Sequence, residues 1–364
     1  MTVNRRLLIG GAAALGVAGA GWLGWRRMGT AVDMAAHAAT LRQDLPVTPS
    51  ASDLIRYATL AANSHNTQAW RFRESPSGID ILPDPTRATP VVDPDDHHLF
   101  ISLGGAAENL TLAMAARGQG GEATFDPTTG NTLSLPYGTT RASDNALFDA
   151  IPARQSTRSD YDGTLVSPVD LGLLAAAATI PGVDLILITA PDQIARLTDL
   201  VVAANTTQIA DPAFVAELKH WLRFSPRAAM TTGDGLYSAA SGSPALPEWL
   251  GPHLFDAVFT AKSENEKVAR QIASSAGIAV FAGVAADPVH WVQVGRASQR
   301  FALQATVLGL KCAYLNQPVE VVDFRADLAK LVGLPGRRLD LLMRFGRGPA
   351  MPYSARRPVE AVMV

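Results

Sequence analysis

Hydrophobic and polar positions follow two distinct periods along the chain. Leu54, Ile55, Ala58, Ala61 and Ala62 recur at helical spacing after a Pro/Ser entry at Pro46, Pro49 and Ser50. This predicts a helix opening near Ser50. Leu103, Ala106, Ala107, Leu110, Ala113 and Met114 set one apolar stripe along a second helix, closed at Gly118. Small residues dominate that stripe, so a partner helix can approach closely. Leu339, Leu341, Met343 and Phe345 alternate with period two, the pattern of a strand. No period holds from Trp221 to Trp249, where Gly233, Asp234, Gly235, Ser241, Gly242, Pro244 and Pro247 mark turns. That stretch is too long and turn-rich for an ordinary connection.

Residues 295–309 repeat the pattern of 104–118, matching at Gly104/Gly295, Ala106/Ala297, Leu112/Leu303 and Gly118/Gly309. Asp96 and Asp287 correspond at the same offset. The readings are an internal duplication or coincidence among common helix residues. The first 40 residues differ from the rest: Arg5-Arg6 precede an uncharged run from Leu7 to Trp25 rich in Ala, Gly and Leu. Asn4-Arg5-Arg6-Leu7-Leu8-Ile9 resembles a twin-arginine export signal, a route for proteins that fold around a cofactor before crossing. As a helix the run would span about 28 Å, so an uncleaved anchor is the alternative to cleavage at Ala36-His37-Ala38. Residues 1–40 are therefore expected to be an export signal or membrane anchor, and the protein periplasmic or tethered through residues 7–25. Gly19-Ala20-Gly21-Trp22-Leu23-Gly24 has the form GxGxxG but no preceding strand, so it is not a nucleotide loop.

At 364 residues and 48% hydrophobic, the chain can fill one or two full cores. With 31 Lys+Arg against 33 Asp+Glu it lacks the basic excess that nucleic-acid binding needs. A single cysteine, Cys312, excludes an intrachain disulfide framework, a Cys-based zinc site and an iron–sulfur cluster; the residue is expected to be buried. No GxSxG elbow, HExxH or Walker loop is present, so hydrolases and NTPases lack their minimum parts. Asp93, Asp95, Asp96, His97 and His98 could bind a metal or form a loop capping the next helix. Pro94 and the absence of EF-hand spacing favour the cap, and no metal is expected.

Three polar clusters remain. Asn63-Ser64-His65-Asn66-Thr67-Gln68 sits between a helix and a strand-like run. Arg154-Gln155-Ser156-Thr157-Arg158 follows the apolar run Leu147–Ala153. If that segment is extended, Arg154, Ser156 and Arg158 share a face and converge two guanidinium groups on one ligand. Arg356-Arg357-Pro358 follows the C-terminal strand, among Met351, Tyr353, Val359 and Val362.

Together the clusters resemble the nitroreductase-like flavoproteins. His65–Trp70 is similar to their S-x-x-N-x-Q-P-W signature, Arg154-x-Ser156-x-Arg158 to their R-x-S-x-R/K, and the Arg-Arg-Pro ending matches too. Here the Asn/Gln element precedes the arginine element. That order resembles the Acg-like branch, in which one chain carries two nitroreductase-like halves as a pseudo-dimer. Ala69 departs from the usual proline, and Asn63 stands where the branch often has proline.

The resemblance implies an α+β fold, a mixed and mostly antiparallel sheet flanked by helices, in two pseudo-repeated halves at 45–150 and 151–364. The second would carry a lid over about 221–262. It implies FMN held by Arg154, Ser156 and Arg158, by Ser64, His65, Asn66 and Gln68 from the other half, and by Arg356 and Arg357 at the phosphate, with Asn316 near the ring. The implied activity is ping-pong two-electron transfer from a reduced donor, NAD(P)H being the candidate, to a nitroaromatic, quinone or similar small acceptor. The flavin would do the chemistry, with no side chain as obligatory acid or base. The alternative is a flavin-sequestering protein with a closed lid. A monomer is expected.

Overall fold

The computed structural model describes residues 27–143 and 145–364. The twin-arginine and anchor readings at 4–25 fall outside them. The architecture is α+β. A first sheet holds β1 (Trp70–Ser75), β2 (Gly78–Pro83), β3 (Thr124–Asp126) and β4 (Thr132–Pro136), ordered β1-β2-β4-β3, every pair antiparallel. Next in the chain come β5 (Val183–Ile188), the two-residue strands β6 (Leu222–Arg223) and β7 (Leu236–Tyr237), β8 (Gly277–Gly283), β9 (Lys311–Tyr314) and β10 (Leu341–Gly346). The second sheet runs β5-β8-β10-β9, also antiparallel throughout, so both sheets share one strand order. β6 and β7 pair in parallel apart from both sheets.

Two 20-residue helices, His97–Ala116 and Pro288–Val307, lie between the sheets. They cross at the two glycines matched in the sequence repeat. A Cβ on Gly104 would lie 2.0 Å from the Val292 carbonyl oxygen, and one on Gly295 would lie 2.0 Å from that of Ile101. The contacts mirror each other, and only glycine permits them. Around the crossing, Leu103, Ala107, Leu110, Val294, Phe301 and Leu303 are fully buried in one continuous core. His97–Ala116 is the one described helix long and apolar enough to span a membrane, and it is buried inside the protein. Its first turn is capped by Asp93, whose carboxylate accepts from His98 N and Leu99 N at 2.9 Å. Asp96 takes the N-cap position at φ 58° without a side-chain cap bond, whereas Asp287 does cap its helix through His290 N. The cap thus moved three residues upstream of the position that the repeat singles out.

The helix after Ser50 runs Ala51–Thr59, with Ser50 and Asp53 forming a reciprocal capping box. β10 carries the alternation read from Leu339–Phe345, but the sheet is covered on both faces, so every residue of it is buried. Residues 31–41, inside the segment read as leader, form a helix whose Met34 and Ala38 are 2% exposed. Met34 packs with Ala229, Tyr237, Ala240 and Ala355. Cleavage at Ala36–Ala38 would remove that packing.

Candidate active site

The chain reaches the site through a strained loop. His65, Asn66 and Gln68 adopt φ of 44°, 54° and 55°. Non-glycine residues held there cost of order 1 kcal/mol each, so surrounding contacts must fix them. Asn63 Oδ1 accepts from Gln68 N at 2.9 Å. Asn66 Nδ2 donates to Gly235 O and Ala355 O, and its Oδ1 accepts from Arg356 Nη1 at 2.8 Å. Gln68 Nε2 donates to Gly233 O at 2.8 Å, and its Oε1 accepts from Arg357 N. The loop therefore clips together the Gly233–Gly235 turn of the segment 221–262 and the C-terminal tail. Asp234 strengthens the clip as a carboxylate shared by Arg223 and Arg87.

Arg154, Ser156 and Arg158 are placed by an extended segment that joins the second sheet. Ser156 bridges Cys312 on β9 in parallel, and Thr157 N donates to Cys312 O at 2.8 Å. Cys312 is buried, and burial pushes its thiol up to about 12, which leaves it unreactive.

Two adjoining cavities open at this junction. The smaller, about 50 Å³, is lined by Arg42, Arg154, Ser156, Arg158, Asn66 and Arg356, with Tyr353 and Ser354 from the tail. No carboxylate among the described residues lines it. Arg154 and Arg356 are each 5% exposed. Backbone carbonyls hold part of each guanidinium: Arg154 Nη2 donates to Leu60 O at 2.9 Å, and Arg356 donates to Thr59 O, Ala61 O and Ala355 O. Arg42 donates to Ala38 O and stacks on Tyr353 at 3.9 Å. None of the four arginines pairs with a carboxylate among the described residues. Burial, and for Arg42, Arg158 and Arg356 neighbouring guanidinium charges, lower all four from their ordinary values, Arg42 to about 10. Uncompensated buried positive charge is costly, so the recess is built for an anion.

The larger cavity, about 410 Å³, shares Ala62, Asn63, Arg158 and Leu236 with the recess. Its volume suits a small-molecule ring system. Ser64 and His65 line it from the strained loop, His98 from the helix His97–Ala116, and Asn316 and Gln317 from the start of the helix Gln317–Glu320 after β9. Leu222, Phe224, Leu246, Phe255 and Phe259 line it from the segment 221–262, which thus forms one wall. Burial holds the His65 and His98 rings neutral, each down to about 4, and Arg158 reinforces this at His65. His65 Nδ1, Arg154 Nε and Gln317 Oε1 are buried without a hydrogen-bond partner among the described residues.

The structure thus brings Ser64, His65, Asn66, Arg154, Ser156, Arg158, Asn316 and Arg356 to the paired cavities. Gln68 and Arg357 line neither. Gln68 turns into the clip because of its left-handed backbone, and the Arg357 side chain bonds Ala361 O and faces Asp84. Asn316 Oδ1 is engaged by Leu342 N at 3.0 Å. Arg42 was missed because it follows a segment read as leader; its closeness to the Pro46 entry was the signal available.

No family model matches the chain. Over 347 residues it is 26% identical to "Putative NAD(P)H nitroreductase Rv3131" of Mycobacterium tuberculosis (strain ATCC 25618 / H37Rv), covering 89% of this chain and 94% of the relative. "Putative NAD(P)H nitroreductase MT3217" of strain CDC 1551 / Oshkosh matches to the same extent. Solved structures with similarity include a nitroreductase with bound FMN from Desulfitobacterium hafniense DCB-2, at 15% identity over 59% of this chain and 96% of that one, TM-score 0.37. Another is the FMN-dependent nitroreductase NfnB from Mycobacterium smegmatis in complex with NADPH, at 13% identity over 56% and 87%, TM-score 0.37.

Proposed function

We propose that the chain is a nitroreductase-like flavoprotein that binds one FMN across the paired cavities and transfers two electrons from NAD(P)H to a small conjugated acceptor. The observation that carries this reading is the basic recess: four arginines, no carboxylate among the described residues, and a ring-sized cavity opening beside it. The resemblance of the three polar clusters and the nitroreductase name of the 26% identical relative support it. In the proposed complex, Arg42, Arg154, Ser156 and Arg356 hold the phosphate. Arg158, common to both cavities, places a fixed cation beside the ring, and Ser64, His65 and Asn316 complete the ring's surroundings. Bound FMN would supply hydride chemistry, and a cation beside it favours the reduced anionic form. Asn66 keeps Arg356 in place rather than needing to touch ligand itself.

In this reading the matched strand orders and the mirrored Gly104/Gly295 crossing make the chain an internal pseudo-dimer of the Acg-like arrangement, monomeric in solution. The amino-terminal signal would take it out of the cytoplasm or tether it to a membrane. The insertion wall supports a second reading, in which the lid stays closed and the protein stores flavin without turnover. Anaerobic addition of NADH to the FMN-loaded protein separates the two. Bleaching of the flavin bands followed by recolouring with a nitroaromatic is expected; bleaching with dithionite alone would favour storage.

A further inference from the structure

Glu320 has no part in that reading, yet it sits in the same cavity. It ends the short helix Gln317–Glu320 and lines the larger cavity but not the basic recess. Its Oε2 accepts from Gln208 Nε2 at 2.6 Å, and its Oε1 lies 3.7 Å from His98 Nδ1. No lysine or arginine pairs with it among the described residues. Burial, with Asp93 and Glu217 acting in the same sense, raises its pKa, while His98 and Gln208 act against the rise. A carboxyl group on a cavity wall, with its acid form favoured by burial and held in place by Gln208, is the setting of a general acid. Part of the wall is aromatic, with Phe214 and the Phe255–Phe259 pair, whose rings stack at 4.4 Å, beside polar residues that include Arg158, Asn205 and Lys267. Such a surface takes a flat conjugated ring.

We propose that Glu320 is the proton donor to the electron acceptor, binding the carbonyl or nitro oxygen of a flat conjugated molecule through its Oε–H. The proposal rests on the flavin oxidoreductase reading. With a quinone, two electrons and one hydrogen arrive as a hydride equivalent from the reduced flavin, and the second proton comes from Glu320. The carboxyl O–H bond breaks as an O–H bond forms on the former carbonyl oxygen. The carboxylate left behind keeps the Gln208 hydrogen bond and faces His98, and water reprotonates it after the hydroquinone leaves.

The test uses the full chain loaded with FMN, reduced anaerobically with dithionite, and mixed with either 1,4-benzoquinone or ferricyanide, which takes electrons without a proton. Glu320→Gln should slow reoxidation by benzoquinone about 100-fold, the order of one general acid, and leave ferricyanide reoxidation and the FMN Kd near their wild-type values. Glu320→Asp, which keeps an acidic proton, should recover much of the loss and serves alone if the glutamine variant does not fold. Unchanged benzoquinone reoxidation, or equal slowing with both acceptors, overturns the role. If the wild-type chain takes up no FMN, the flavin reading and this role fall together; normal uptake with an unaffected benzoquinone rate removes the role alone.

Discussion

Four guanidinium groups around one small recess repel each other, and backbone carbonyls anchor three of them, Arg356 through Thr59, Leu60, Ala61 and Ala355, and Arg42 and Arg154 through one carbonyl each. Arg158 is the exception: its side chain makes no hydrogen bond among the described residues, so its charge is free for a ligand. Charge-assisted hydrogen bonds contribute about 1.5–3 kcal/mol each. Arg158→Gln should therefore weaken FMN about 10- to 100-fold in a fluorescence titration while leaving apo stability intact. Arg357→Gln should change it less than about threefold, because that side chain turns toward Asp84 and Ala361. Protonation gives a second residue-scale consequence. His98 is neutral in the fold down to about 4, whereas an unfolded histidine titrates near about 6.5. The unfolded chain takes the proton first, so native stability falls as pH drops from 6.5 toward 4. Asp93 and Asp340, held up at about 6, act in the opposite sense. Comparison with His98→Gln isolates the histidine: between pH 7 and pH 5, denaturant melts should show wild type losing about 2 kcal/mol relative to the variant. At this scale, residue types and spacing pointed to Arg154, Ser156, Arg158 and Arg356, which the fold gathers around one recess. They did not reveal where Gln68 or Arg357 points, since a left-handed backbone turns one and an exposed tail carbonyl and Asp84 draw away the other.

The two long helices show what close approach demands of sequence. Gly104 and Gly295 face each other where a Cβ would meet carbonyl oxygen at 2.0 Å. Gly104→Ala and Gly295→Ala should each cost about 1–3 kcal/mol or more in a denaturant melt, and by similar amounts because the contacts mirror each other. Unequal effects, one of them near zero, would argue against an equivalent pair. Two other contacts fasten this crossing: Glu108, buried, takes Arg296 at 2.9 Å and Arg300 at 2.7 Å. The helices and the strand at β10 were legible because an apolar stripe or an alternation survives in the residues themselves. The helix Ala31–Leu41 was not, since Ala-rich composition beside a hydrophobic leader reads as more leader. Its docking depends on Ala229, Tyr237 and Ala355, all far away in sequence.

At the scale of the whole molecule, two sheets of one strand order flank a helix pair, and the candidate site lies where the Asn63–Gln68 loop, the Arg154–Arg158 segment and the C-terminal tail converge. The segment 221–262 closes one side, pinned at its base by Asn66, Gln68 and the Asp234 ion pairs. Its turn-rich composition marked it as unusual, but nothing local in it specifies which cavity its phenylalanines cover. On the proposed reading the paired cavities form one complete site within the chain, and the molecule binds its cofactor without a partner. The most direct test is a titration of the full chain with FMN, followed by flavin fluorescence and by size-exclusion chromatography of the loaded protein. One FMN per chain, quenched and co-eluting with a monomer, is the predicted result. A protein that leaves FMN free in solution, or binds one per two chains, would contradict it.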